Sequence, residues 1–226
     1  MKIVISLGGS LIVPKCEIDY KFLKSFKTLI EKLAQKHKFV IVTGGGHTAR
    51  MYIEPLRKEN LSEERACLIG IKTTKLNAMF LSNFLNANKM IPDKLKEIEN
   101  SLRINNIVVC GALGYRPDMT SDGDAALIAR YVKADMFINM TNVTGLYDKD
   151  PNKFKNAKFI PRISREDFWK IASKIEFKAG QHFVLDQSAA RLLRTSKIKT
   201  IILDGKNLKN FEKCIEKKKF TGTIIG

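Results

Sequence analysis

No stretch of this sequence stays apolar for the roughly 20 residues that a membrane-spanning helix needs. The first apolar run, Ile3 to Leu7, is interrupted by Ser6 and stops at Gly8-Gly9, so it does not read as a secretory leader. Histidine is scarce, with 3 residues, and the 4 cysteines stand at positions 16, 67, 110 and 214. No two have CxxC spacing, which gives no basis for a metal cluster and none is expected. Reduced thiols in a cytoplasmic protein are the simplest reading. There is no GxxxxGK[ST] and no GxGxxG opening a helix, so neither a P-loop nor a Rossmann dinucleotide site is expected. Internal repeats and low-complexity linkers are also missing. The 226 residues therefore fit one large α/β domain or two small ones.

Acidic residues are in short supply. Asp and Glu number 23 against 40 Lys and Arg, a formal charge of +17. Such a balance suits a polyanionic partner or small anionic substrates. The basic residues are scattered, apart from a final run Lys217-Lys218-Lys219, and read mainly as solvated surface. Aromatics interleaved with them would support nucleic-acid binding, and that pattern is not seen.

What the chain does have is glycine at the ends of strands. Phe39-Val40-Ile41-Val42-Thr43 runs into Gly44-Gly45-Gly46, and a helix-compatible stretch begins at once. A strand, a glycine turn and a helix N-terminus present several N–H groups to an anion. His47 and Arg50 follow within the first turn and can add positive charge. The plain alternative is a tight strand–helix turn that holds nothing.

Taken in order, Lys2 to Leu7 reads as a buried strand closed by Gly8-Gly9-Ser10. Asp19 to about Lys36 has Phe22, Leu23, Phe26, Leu29, Ile30 and Leu33 on one helical face, with Asp19 as N-cap. Phe39 to Val42 is the next strand, completing a βαβ unit that favours a parallel sheet. Pro55 should end or kink the following helix near Glu54. Ser62 opens a helical region to about Leu85 with Gly70 inside it. Ile91 to Arg103 has no clear pattern. Asn106 to Cys110 is a strand running into Gly111 and Gly114. Ser121 with Asp124 resembles a capping box for a helix reaching about Lys133. Asp135 to Met140 is a strand, followed by a polar loop from Thr141 to Pro151. Arg165 to Ser173, Leu185 to Ser196 and Leu208 to Glu216 look helical, while Ile198 to Leu203 and Thr221 to Ile225 look like strands. About six strands alternate with about seven helices. In one parallel sheet the four turns at Gly8, Gly44, Gly111 and Thr141 gather on one edge, where open α/β sheets bind ligands. Several anion-binding turns suit a polyphosphate donor and an anionic acceptor, and phosphoryl transfer needs mainly positioning and charge neutralisation.

These pieces, in this order, resemble the amino-acid kinase superfamily, and within it the archaeal type of UMP kinase. The likeness spans nearly the whole chain. It rests on MKIVISLGGSL at the start, VTGGGHTARMY from Val42, IGIKTTKLNAM from Ile69 and Thr120-Ser121-Asp122. Lys133-Ala134-Asp135, Thr141-Asn142-Val143-x-Gly145-x-Tyr147-x-x-Asp150-Pro151, Lys178-Ala179-Gly180, Asp186 to Ala190 and Gly222 to Ile225 complete it. The resemblance implies a single domain over residues 1–226, a three-layer αβα sandwich around a mainly parallel sheet. The N-terminal part would bind mainly the acceptor and the C-terminal part mainly ATP. It implies ATP-dependent conversion of UMP to UDP in pyrimidine nucleotide biosynthesis, by direct in-line transfer, with magnesium carried on the ATP. Gly8, Gly9, Ser10, Gly45 and Arg50 would hold the ATP phosphates, and Thr141, Tyr147 and Asp150 the adenine nucleotide. Gly44, Cys67 and the turn Gly111, Ala112, Leu113, Gly114, Thr120, Ser121 and Asp122 would surround UMP. Arg50, Asp122 and Lys178 would be catalytic, and no residue is expected to be a dedicated metal ligand. Asp124 reads instead as a charge favourable to a helix N-terminus. The resemblance further implies a homo-hexamer, a trimer of dimers.

The sequence departs from the family pattern at three positions. Cys67 stands where the family usually has an aspartate for the ribose hydroxyls. His47 replaces a frequent lysine. Ser6 occupies the place of a catalytic lysine found in many superfamily members, which passes the role of phosphoryl-stabilising cation to Arg50 or Lys178. Two other readings follow: a kinase of the superfamily with a carboxylate or alkyl phosphate acceptor, and a nucleotide-binding regulator without catalysis.

Overall fold

Short runs of β-branched and aliphatic residues pair in register in a computed structural model of the chain. The structure describes all residues except 16, 118, 152 and 175–184. Lys2–Leu7 (β1) leads through Gly9–Ile12 (α1) and Tyr20–Ala34 (α2) to Lys38–Thr43 (β2). Gly46–Lys58 (α3), Glu63–Phe84 (α4) and Leu95–Ile104 (α5) precede Ile107–Cys110 (β3). Ser121–Tyr131 (α6) precedes Met136–Thr141 (β4), and the short strands Leu146–Tyr147 (β5), Phe159–Ile160 (β6) and Arg162–Ile163 (β7) follow. Arg165–Ala172 (α7), Gln187–Arg194 (α8), Lys199–Asp204 (β8), Leu208–Ile215 (α9) and Thr223–Ile225 (β9) complete the described elements.

The main sheet has seven strands in the order β3-β2-β1-β4-β8-β9-β7. Its first five strands are all parallel, with Ile5 beside Ile41 on one side and Ile138 on the other. β9 runs antiparallel to β8, and β7 parallel to β9. β5 and β6 form a separate antiparallel pair. Alternate side chains of each central strand face opposite layers. Ile3, Ile5 and Leu7 pack with Leu23 and Phe26 of α2, Leu81 of α4 and Phe211 of α9. Val4, Val40 and Val42 pack with Ile128 of α6, Phe168 of α7 and Leu193 of α8. The result is the three-layer αβα sandwich expected from the sequence.

Three local expectations need correction. Of the two outcomes expected at Pro55, an end to α3 near Glu54 does not occur; the helix continues to Lys58. The proline removes one ladder bond, but Ile53 is buried against Ala66 and keeps the helix seated on α4. The cap of α6 is Thr120 rather than Ser121, its side chain accepting from the Asp122 N–H. The polar loop after β4 contains strand β5, held because the Leu146 N–H donates to the Thr223 hydroxyl at 2.8 Å. Lys58, Leu146 and the strands β6 and β7 lay below what a two-residue strand or a proline-bearing helix can signal.

Candidate active site

The two glycine turns meet backbone to backbone. Gly9 lies so close to Gly44 and Gly46 that a Cβ on it would run into the Gly44 carbonyl and would stand 2.5 Å from the Gly46 nitrogen. Gly46 adopts a φ of +61°, a region that disfavours other residues, and its own Cβ position is filled by Gly9. Part of the glycine requirement is therefore structural, as the plain reading of the sequence held. The contact also fixes where the N–H groups point. The Gly8 N–H donates to the Met140 carbonyl at 3.0 Å, and Gly44 N–H to the Leu7 carbonyl at 2.9 Å. Asn77 of α4 clamps the second turn by donating to the Gly44 carbonyl at 2.8 Å. Gly9 and Ser10 open α1, and Gly46 and His47 open α3, where N–H groups have no partner within the helix.

Around these turns lies a cavity of about 810 Å³. Its walls come from both halves of the chain. At one end stand α3 and α4, with Ile53, Cys67, Gly70 and Ile71. At the other stands the loop after β4, with Tyr147, Asp150 and Lys153. Gly8, Gly9, Ser10, Gly44, Gly45, Ala112, Gly114, Thr120, Ser121, Asp122 and Thr141 line the middle. Arg50 also lines it, half-buried, with Nη2 3.4 Å from the Ser10 hydroxyl. Burial lowers its affinity for a proton and Glu54 opposes that; an arginine stays cationic here. Gly111 and Leu113 are not among the lining residues. Gly111 presses on the Thr74–Lys75 backbone of α4, and Leu113 packs into the core and donates its N–H to Asp124 at 3.2 Å. Lys178 lies outside the described residues, as does the whole Lys178-Ala179-Gly180 segment.

Three carboxylates organise the side of the cavity at the α6 N-terminus. Asp122 accepts from the Ser6 hydroxyl at 2.5 Å. Burial and the Asp186 charge push it up to about 7, with the Ser6 hydrogen bond pulling the other way. Asp124 is buried, pairs with Arg116 at 2.8 Å and is raised to about 6, chiefly by burial. It stands in the first turn of α6, as the sequence suggested, and also tethers the turn after β3. Asp186 is the hub. It caps α8 through the Ala189 N–H at 2.6 Å and takes the Ser188 hydroxyl at 2.6 Å. It also accepts the Thr120 N–H at 2.9 Å, the Gly123 N–H at 3.1 Å and the Thr120 hydroxyl. The sequence reading puts Asp186 inside a helix from Leu185, and its reach to α6 is not legible, because those partners are 63 and 66 residues away.

Beyond β4, the Gly205 N–H holds the Thr141 carbonyl at 2.8 Å and Tyr147 packs on Phe159 with ring centres 5.5 Å apart. The backbone carbonyl of Asp150 turns the loop by accepting the N–H groups of Lys153 and Phe154. No group of three or more His, Cys, Asp or Glu among the described residues could hold a metal ion. What the cavity offers is an apolar end, a central band of N–H groups with a guanidinium, and a polar end with an aromatic ring. That arrangement can align two phosphorylated molecules and neutralise charge between them.

Comparison with known proteins gives the same picture. Residues 1–204 match the model of the Amino acid kinase family. The chain is 39% identical to the uridylate kinase of Archaeoglobus fulgidus, with 100% of both chains covered. It is 36% identical to the uridylate kinase of Methanocaldococcus jannaschii, over 100% of this chain and 99% of that protein. The crystal structure of the Archaeoglobus fulgidus uridylate kinase superimposes with a TM-score of 0.85 at 37% identity, covering 100% of both chains. A UMP kinase structure from Bacillus anthracis shares the fold, with a TM-score of 0.80 at 19% identity over 100% of this chain and 95% of that one.

Proposed function

The chain belongs to the amino acid kinase family, and we propose from that premise that it phosphorylates UMP with ATP, giving UDP and ADP by direct in-line transfer. The observation that carries this reading is the single continuous cavity joining the α3–α4 end to the loop around Tyr147 across the glycine turns. The chain acts as one domain, with the acceptor mainly in its N-terminal part and ATP mainly in its C-terminal part.

In this reading the adenosine sits near Tyr147, Thr141 and Asp150, and the triphosphate crosses the turns at Gly8–Ser10 and Gly45. The UMP phosphate lies against Gly44 and the Ala112–Asp122 turn. Arg50 reaches both groups from α3 and stabilises charge on the transferring phosphoryl. A phosphate oxygen attacks directly, so no general base is required. Asp122 is bonded to Ser6, and these two residues set the floor beneath the transfer. Magnesium carried on the triphosphate would supply charge neutralisation there. The donor set fits that mode: Asp122, Asp124 and Asp186 are all engaged in hydrogen bonds, so the metal would be held mainly by phosphate and water.

The test is an acceptor panel with ATP and magnesium: UMP, CMP, carbamate, isopentenyl phosphate and acetylglutamate. UMP is expected to be the preferred acceptor by at least about tenfold in kcat/KM. Preference for a carboxylate or an alkyl phosphate would replace this reading with another kinase activity.

We also propose a cytoplasmic homo-hexamer built as a trimer of dimers. Support comes from the exposed apolar groups on neighbouring helices, Met51, Tyr52 and Leu56 of α3 with Leu76 and Met79 of α4. Cys67, Cys110 and Cys214 form no disulfide, as suits a reducing compartment. Sedimentation is expected to give a species well above 25.6 kDa at micromolar concentration, and a monomer would reject the assembly.

A further inference from the structure

The α3–α4 end of the cavity differs from the rest in what it offers a ligand. From α4 come Cys67, Gly70, Ile71 and Thr74, spaced i, i+3, i+4 and i+7 on one helical face. From α3 come Ala49, Ile53 and Arg50, whose Nη2 lies 3.4 Å from the Ser10 hydroxyl. No carboxylate stands among these described residues. Among the described residues, the acids in the cavity lining are Asp122, Asp124, Asp148, Asp150 and Asp186, all from later in the chain. The acids of α4 itself do not line the cavity: Glu63 pairs with Arg57 at 3.2 Å, and Glu64 is exposed. The Thr74 hydroxyl is committed, donating to the Ile71 carbonyl at 2.7 Å and accepting from the Ala112 N–H at 2.9 Å.

Gly70 is the second observation. It lies inside a 22-residue helix, where glycine is unfavourable relative to alanine. Packing gives no reason for it, since a Cβ there would meet nothing within 4 Å. The space in front of it opens on the cavity, so a ligand group can lie directly against the helix backbone.

A wall that selects a ribose over a deoxyribose needs an acceptor for the extra hydroxyl proton, and a carboxylate is the strong form of one. This wall supplies a thiol, a bare glycine, aliphatic surface and a guanidinium that donates but cannot accept. Resting on the UMP kinase reading with the acceptor sugar at this end, we infer that the protein does not select for the 2′-hydroxyl and phosphorylates dUMP as well as UMP. The bond between the γ-phosphorus of ATP and its β,γ-bridging oxygen breaks. A phosphate oxygen of dUMP bonds that phosphorus, ADP leaves with the bond's electron pair, and dUDP forms. No other reactant is consumed.

The experiment compares kcat/KM for UMP and dUMP with the full chain, ATP and magnesium. The two values are expected to agree within about tenfold, whereas a site built to bond a substrate hydroxyl rejects its absence by about 10⁴ or more. A preference for UMP above tenfold overturns the inference. Cys67→Asp places a carboxylate on the wall and is expected to raise the UMP-to-dUMP ratio by at least about tenfold, mainly through KM for UMP. An unchanged ratio in a folded variant moves the sugar off this wall and overturns the inference too. If Cys67→Asp does not fold, the wild-type ratio decides alone. Acceptance of UMP with rejection of dUMP sinks only this inference. Rejection of both, with another acceptor taken, sinks the function reading and this inference together.

Discussion

The two sides of the cavity are built from different materials. On the N-terminal side, Gly9, Gly44 and Gly46 touch through backbone alone, and Asn77 holds them with a neutral amide. On the C-terminal side, Asp122, Asp124 and Asp186 hold the turns with carboxylates. The first construction depends on the absence of side chains and is indifferent to pH. The second depends on charge in a partly dry place and must respond to pH. Each can be broken in its own way.

The largest effect is expected on the glycine side. Gly9→Ala would drive a Cβ into the Gly44 carbonyl, where only backbone can yield. Overpacking of this kind costs about 2–3 kcal/mol, or roughly 5–10 °C in Tm for a chain of this size. Activity should fall at least about hundredfold, since the turn would shift by a sizeable fraction of an ångström. Calorimetry and steady-state rates check both; a variant with normal Tm and rate would show that the turns do not need this contact.

On the other side, Asp186→Asn replaces one acceptor oxygen with an NH₂ that must face N–H donors. Loss of charged hydrogen bonds of this type costs about 2 kcal/mol. The link between α6 and α8 should loosen, with kcat/KM down about tenfold or more. Denaturant unfolding and rates in parallel test it. If stability alone falls, Asp186 supports the fold and the site is indifferent to it.

The contrast between the sides also explains what could be read in advance. The glycine turns were legible because the signal is local: strand, glycine, helix within a dozen residues. Gly8–Ser10, Gly44–Gly45, Arg50, Cys67, Thr120–Asp122, Thr141, Tyr147 and Asp150 all fall in one cavity. The carboxylate side was legible only in part. Thr120 rather than Ser121 caps α6 because its backbone and hydroxyl also serve Asp186, a tertiary demand that no capping pattern contains. Gly111 looked like a phosphate-binding glycine, yet its constraint is the close approach of α4. Arg116 gave no sign of its pairing with Asp124, since loop arginines usually face water.

pH separates the two sides further. Asp122 gives up its proton near pH 7 in the folded chain and near pH 4 when unfolded. Above pH 4 the unfolded state therefore loses a proton that the folded state retains, so this group's contribution is full below about pH 4 and fades as pH rises towards 7. Asp124 acts in the same direction up to about 6. Asp122→Asn is expected to remove the larger of these penalties. Water reaches the cavity and discounts the effect, so a gain of about 1 kcal/mol at pH 8 and a flatter profile between pH 5 and 8 are expected. Activity should fall further in Asp122→Asn than in Asp124→Asn, whereas the latter should cost stability through Arg116. Tm measured against pH for both variants decides; an unchanged slope in Asp122→Asn would assign the titration to another group.

The smallest effect tests the apolar end, which belongs to neither construction. Gly70 is unlike Gly9: added bulk there meets open space instead of backbone. Gly70→Ala should therefore improve the helix, by about 0.5–1 kcal/mol, because alanine loses less backbone freedom on folding. The new methyl stands in the cavity, between Cys67 and Ile71 on the helical face. If the acceptor's sugar rests there, KM for UMP should rise about threefold to tenfold while KM for ATP and kcat stay close to wild type, a loss of binding shared by ground and transition states. Stability and acceptor affinity would then move in opposite directions from one methyl group. That opposition is what separates a glycine kept for a ligand from one tolerated by chance. A stabilised variant with unchanged KM for UMP would leave Gly70 without a functional reason, and the acceptor would have to lie nearer the glycine turns.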